Sequence, residues 1–425
     1  MESMLRNTVI CFAVVFAVAA GAAAELQPFL SRIGVDCSAA KCPELTVLGD
    51  SYATLPNGKL SPFRGFADAV LRQDPTVNDK IHLAYSWPHL ESVTASSKPH
   101  RGGRKGRGFT PSVETHYAVS EDGGRSFKFV EVLWRPQPAT DPNTGAHGHI
   151  AVETPNILPV ERNGDVIWYG ARLEYFLPNK GAYKDRPLNS FRIAVMEGPS
   201  PTSFDERQAA HLGAAVTDAA WADLDLTELA AQTRRCTIWN EPALAYDNGE
   251  LFLALSCQAF SKKGPVMEQN KLVLFATRPN GAPRDWVWRF AGTLAGASEA
   301  HELGGERLTQ IELAKGQTGE WLAIMTPDNW DAKSKDFVHL GCVVVAIESL
   351  TDARLSRTES GVLDIRASLS PRADGGGDTG ACAYDRNSAT GLLIGWRMKE
   401  GANASSGGGR QSTLTMSQKI TALHP

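Results

Sequence analysis

The chain carries no surplus of positive charge: 43 lysines and arginines face 47 aspartates and glutamates, for a net charge of −4. Proteins held to nucleic acid by their overall field show the opposite balance, so nucleic acid is not an expected partner. Cysteine is scarce, seven in 425 residues, and its spacing fits no zinc pattern. Near the start, the apolar run from Val9 to Ala20 is too short for a membrane span. It follows Arg6 and precedes Ala22-Ala23-Ala24, the order of a secretory leader over residues 1–24. A mature chain of residues 25–425 is therefore expected, secreted or periplasmic, with no stable membrane span after cleavage.

Loss of the leader removes Cys11 and leaves Cys37, Cys42, Cys236, Cys257, Cys342 and Cys382. An even number in an oxidising compartment allows disulfides. Cys37 with Cys42, close together on a turn-like segment, is the expected pair. Cys236 and Cys257 flank a hairpin and could face each other, slightly out of line.

What the chain does have is repetition. Thr237 to Cys257 reads as an apolar strand interrupted by Glu241, an Asp247-Asn248-Gly249 turn and an apolar return strand. Asn-Gly between apolar runs predicts a β-hairpin. A lone carboxylate in such a strand calls for a reason, because an unpaired buried charge is costly. The same pattern recurs from Phe66 to Trp87 with Asp68, from His149 to Ala171 with Glu153, from Leu308 to Met325 with Glu312, and from Gly380 to Arg397 with Tyr384 and Asp385. Taking Asp68, Glu153, Glu241, Glu312 and Tyr384 as markers, the spacings are 85, 88, 71 and 72 residues. Repeated all-β units of this length stack radially, so the predicted fold is a single all-β domain, a β-propeller with five blades favoured and six as the alternative. A strand near Leu45 to Leu48 is expected to close the ring beside Ser412 to Gln418. The Ala-rich stretch from Asp205 to Arg235 predicts a short helical insertion around Asp225 to Gln232.

Ser120 to Phe127, SEDGGRSF, matches the pattern Ser-x-Asp-x-Gly-x-x-aromatic called the Asp box. Asp122 is placed to accept from the turn's own backbone, and Gly124 to take a positive φ. Lys98 to Arg107 is a basic, Gly-rich loop, and Asn403-Ala404-Ser405 is a glycosylation sequon by pattern. His147 and His149 lack a third ligand, so no metal or cofactor is expected.

The Asp box and the repeated hairpins resemble the sialidase family of β-propeller glycosidases, over roughly Ser61 to Gln418. Phe63-Arg64-Gly65-Phe66 is similar to that family's first-arginine signature; Glu153, Gly164 and Arg172 echo its glutamate and second arginine; Tyr384 and Gly391 echo its catalytic tyrosine. The resemblance implies that Arg64 and Arg172 bind a substrate carboxylate and that Tyr384, with Glu153 or Glu241 as base, acts as nucleophile. The chain also resembles the five-bladed glycosidases of arabinosides, xylosides and fructosides, in which three inner-strand carboxylates do the chemistry. Asp68, Glu153 and Glu241 match these in order and blade, and Glu241-Pro242 is similar to their general acid. An exported glycoside hydrolase acting on terminal sugars is the expectation, and a non-catalytic glycan- or protein-binding propeller is the alternative.

Overall fold

The computed structural model describes residues 34–36, 44–93, 108–141, 145–178, 191–214, 221–261, 264–332, 336–370, 379–386, 392–398 and 411–416. The leader, the pair Cys37 and Cys42, the basic loop and the sequon lie outside the described residues.

The protein is a β-propeller. Its sheets follow one another along the chain, and each starts from an innermost strand: β1 (Ala67–Gln73), β2 (His147–Arg162), β3 (Ile238–Asp247), β4 (Arg307–Lys315) and β5 (Thr379–Asp385). From each, antiparallel strands step outward, as in the order Ile238–Asp247, Glu250–Gln258, Lys271–Thr277, Arg289–Ala295. The predicted Asn-Gly hairpins form: Asn163 and Gly164 have φ of 55° and 90°, and Asn248 and Gly249 have φ of 50° and 82°. Positive φ at both central residues gives the turn whose twist suits two paired strands.

The N-terminal segment ties the ring together. Gly34–Asp36 pairs with Ser368–Ser370, the Leu45 N–H donates to Leu414 O, and Val47–Leu48 pairs with Phe127–Lys128. Arg64–Gly65 then adds the outermost strand to the β5 sheet, beside Gln411–Ser412, just before the chain enters β1. Gly65 has φ +142° there, and a Cβ would collide with the Ser412 backbone, so glycine alone fits this closure.

Among the described residues two disulfides are present, Cys236–Cys257 and Cys342–Cys382. The first holds the segment entering β3 to its neighbouring strand; the second joins the β4 sheet to β5. The turn at Ser120 to Ser126 closes as its residues suggest. Asp122 Oδ1 accepts from the N–H groups of Arg125 and Ser126 at 3.0 and 2.9 Å, and Gly124 has φ +83°.

The helix expected over Asp225 to Gln232 does not form. Leu224–Asp225 is a two-residue strand and Ala231–Thr233 a single 3-10 turn. Asp225 Oδ1 accepts from both the N–H and the hydroxyl of Thr227, and the Thr233 hydroxyl donates to Leu226 O. These short polar side chains bond the local backbone in a turn instead of a helix. The α-helix of the described residues, α1 (Ala297–Glu302), lies between the β3 and β4 sheets.

Candidate active site at the propeller axis

The innermost strands share one irregularity. Strand pairing slips between Ala67 and Val70 in β1, at Thr154-Pro155 in β2, between Asn240 and Ala243 in β3, between Thr309 and Ile311 in β4, and between Gly380 and Ala383 in β5. At each slip one non-glycine residue is left-handed: Asp68, Thr154, Glu241, Gln310 and Ala381, with φ between 44° and 56°. Each such residue costs of order 1 kcal/mol or more, and β-bulges of this kind re-aim a side chain. Pro155 and Pro242 sit in two of the bulges, where a missing ladder N–H does no harm. Neighbouring sheets brace the bulges. The Thr154 N–H donates to Ser86 Oγ at 2.9 Å, and the Ala381 N–H donates to Thr326 Oγ1 at 3.0 Å.

All five bulge residues line one axial cavity of about 340 Å³, part of it continuous with solvent.

Two of the five are carboxylates, on β1 and β3. Gln310 Nε2 donates to Asp68 Oδ1 at 2.7 Å. Asn240 Nδ2 donates to Glu241 Oε1 at 3.2 Å and is itself held by Gln258 Nε2, 2.9 Å from Asn240 Oδ1. Burial, and then the charges of Asp68 and Glu153, push the Glu241 carboxyl well above the ordinary range. Asp68 is also raised by burial, but donors from Ser86 and Gln310 and the charge of His339 oppose the rise. Two nearby carboxyls with unlike surroundings are pushed up unequally, Glu241 further than Asp68, so Asp68 is the one that ionises first.

Beneath them lies a neutralised floor. Glu312 lines the cavity, but it pairs with Arg72 and accepts from Asn156 Nδ2 at 2.7 Å. Arg72 also donates to Asn156 Oδ1 at 3.2 Å, and the Leu244 N–H donates to the same oxygen. Residues of β1, β2, β3 and β4 thus converge on one buried cluster.

Of the residues expected from the sequence, Asp68 and Glu241 meet in the cavity. Glu153 stands one place before the bulge residue Thr154, accepts from the Tyr175 hydroxyl at 2.8 Å, and reaches the site through its charge on Glu241. Tyr384 is away from the lining, buried in the apolar cluster between the β4 and β5 sheets, and its hydroxyl accepts from Gln317 Nε2 at 3.2 Å. Arg64 donates to Ser61 O at 2.6 Å beside the closing strand. Arg172 lies over Trp134 and donates to Glu174 at 2.9 and 2.7 Å and to Glu206 at 3.0 Å. The two arginines and the tyrosine are not brought together at the axis.

The residues the sequence reading passed over are Thr154 and Gln310. The repeated X-Pro pair would have found the first, since Thr154-Pro155 aligned on Glu241-Pro242 moves the marker from Glu153 to Thr154. Gln310 is two places before its marker Glu312, with no proline to reveal it.

Among the described residues no group of three or more His, Cys, Asp or Glu side chains could hold a metal ion. No described helix is long and apolar enough to cross a membrane.

The fold and the axial cavity define a propeller with a carboxylate-bearing centre. No family model matches the chain, and no curated protein matches it. Among solved structures it is similar to an arabinanase of Bacillus subtilis, with 11% identity, TM-score 0.44, and 83% of this chain and 94% of that one covered. It is also similar to a family 117 glycoside hydrolase of Zobellia galactanivorans, with 12% identity, TM-score 0.45, and 90% and 91% covered. The sialidase of Trypanosoma rangeli is a further likeness, with 9% identity, TM-score 0.42, and 90% and 60% covered.

Proposed function

We propose that the protein is a glycoside hydrolase whose reaction takes place in the axial cavity. One observation carries the reading: Asp68 and Glu241 occupy corresponding bulges on β1 and β3 and line the same cavity, in unlike protonation environments. Glycosidic bond cleavage needs that pair. Glu241, held protonated, gives its proton to the leaving-group oxygen, with Asn240 fixing Oε1. Asp68, the carboxyl that ionises first, acts on the opposite side of the sugar as base or nucleophile. Glu153 keeps the acid protonated through its charge. We read the ring as five-bladed, with one bulge for each blade. We also read the chain as exported, which the leader pattern and the two disulfides support.

A screen of chromogenic α-arabinofuranoside, β-xyloside, β-fructoside and α-sialoside substrates tests the reading. Release from one substrate by the wild type, falling about 100-fold or more in a folded Glu241→Gln variant, is the expected result. Equal turnover by wild type and variant would sink it. The neutral residues Thr154, Gln310 and Ala381 at three of the five bulges favour a second reading, a sugar-binding propeller without turnover; sugar binding by a protein silent in the whole screen would select it.

A further inference from the structure

Gln310 has one end of its amide in use and the other end unpaired. A carboxylate only accepts, so the contact with Asp68 Oδ1 fixes which end of the amide is nitrogen. The amide oxygen, Gln310 Oε1, is buried and has no hydrogen-bond partner. Thr154 Oγ1, from another bulge of the same ring, is in the same condition, and Thr154 is 5% exposed. Both residues line the cavity. Buried polar atoms are nearly always paired, so two orphans on residues that line one cavity ask for a ligand that supplies partners.

The charge around these atoms limits the ligand. Among the described residues the cavity is lined by the carboxyls of Asp68, Glu241 and Glu312 and by no lysine, arginine or histidine. Three cations bear on these carboxyls and each is paired: Arg72 with Glu312, and Arg307 and His339, whose charges act on Glu241 and Asp68, both with Asp328. An anionic sugar entering here would bring its charge to a lining of three carboxyls whose neighbouring cations already have carboxylate partners. An uncharged sugar brings hydroxyl donors, which an amide oxygen accepts.

We propose that Gln310 reads the sugar in this cavity, holding Asp68 through its amide nitrogen and accepting a hydroxyl of an uncharged glycone through its amide oxygen. The proposal deepens the hydrolase reading and rests on the same cavity, but it concerns binding and stands without turnover. Thr154 Oγ1 supplies a second hydrogen bond to the same sugar. Gln310 is a specificity and positioning residue, and Asp68 and Glu241 remain the reacting groups.

The test measures binding alone, by ligand-observed NMR on the full chain with D-galactose and D-galacturonate as a pair matched except for charge, and with L-arabinose and D-xylose. The wild type is expected to bind at least one neutral sugar and to bind galacturonate about tenfold more weakly than galactose or not at all. In Gln310→Leu, with a cooperative melt showing that it is folded, the neutral sugar is expected to bind about fivefold to tenfold more weakly, the loss of one hydrogen bond. Gln317→Ala, away from the cavity, leaves binding unchanged. Galacturonate binding as tightly as galactose overturns the proposal and needs no variant to fold. So does unchanged binding in folded Gln310→Leu, or no neutral sugar bound at about 100 mM. Sugar binding of the expected pattern without any hydrolysis would sink the hydrolase reading and leave this one standing.

Discussion

Asn156 Nδ2 donates to Glu312 Oε2 across 2.7 Å and 156 positions of sequence, joining β2 to β4 directly below the cavity. With Arg72 completing the cluster, the floor of the site is also the place where four innermost strands are locked in register. Glu312 is pushed up by burial and held back chiefly by Arg72, so the carboxyl depends on that one guanidinium. Arg72→Met leaves Glu312 without its cation. Urea denaturation is expected to show a loss of about 3–5 kcal/mol, and Arg72→Met with Glu312→Leu should recover part of it. A single-variant loss below 1 kcal/mol would show that the cluster does not lock the ring.

Glu241 pays in stability for its place. Its carboxyl is raised in the folded state, so the folded protein binds the proton more tightly than the unfolded chain does. The contribution is fully present below the ordinary glutamate range and is lost as pH rises through the raised value. Each tenfold preference for the protonated form is about 1.4 kcal/mol. Glu241→Gln should therefore melt higher than the wild type at pH 8 and nearly level with it at pH 4. A variant less stable at pH 8 would mean that the ionised glutamate has a partner.

Glu174 behaves in the opposite sense. Burial would raise it, but Arg172, Arg192 and His211 overcome burial and hold it down at about 2. Its stabilisation is present above the ordinary glutamate value and disappears as pH falls from there toward 2. Glu174→Gln is expected to cost about 3–5 kcal/mol at pH 7, because two arginines lose their carboxylate, and to flatten the acid limb of a stability curve. An unchanged acid limb would refute this. The same network makes Arg172 a structural cation, so Arg172→Met should lower stability without altering sugar binding.

The Cys342–Cys382 bridge joins the β4 sheet to β5 and closes a separation of 40 residues, and Cys382 lines the cavity. Replacing both cysteines by alanine should cost about 2–4 kcal/mol and weaken the site through the loosened seam. Chemical denaturation in the presence and absence of reductant checks it, with equal midpoints as the contrary result.

Tyr384 separates the two glycosidase schemes that the sequence resembles. Because its hydroxyl faces Gln317 in the seam, Tyr384→Phe should keep turnover within about threefold while losing roughly 1 kcal/mol of stability. A loss of 100-fold or more in turnover with intact folding would restore the tyrosine to the chemistry.

Local pattern alone settled a good part of this protein. The Asn-Gly turns at Asn163 and Asn248, the turn around Asp122 and the repetition of carboxylate-bearing hairpins all follow from short-range preferences, in which a residue and its near neighbours decide the outcome; the closing strand expected at Leu45 to Leu48 is instead Arg64–Gly65, while Val47–Leu48 pairs with Phe127–Lys128. Asp68 and Glu241 were legible for the same reason, as charges inside apolar strands. What tertiary structure decided was which repeated position faces the axis. A bulge shifts the pleat by one residue, and its place depends on hydroxyls from the adjacent sheet, such as Ser86 under Thr154 and Thr326 under Ala381. That shift puts Thr154 on the cavity instead of Glu153, and Gln310 beside Asp68, 242 residues away. Arg172 and Tyr384 have the side chains for chemistry, and packing assigned them to an ion network and a seam, because a residue's chemistry depends on the neighbours that the folded ring brings to it.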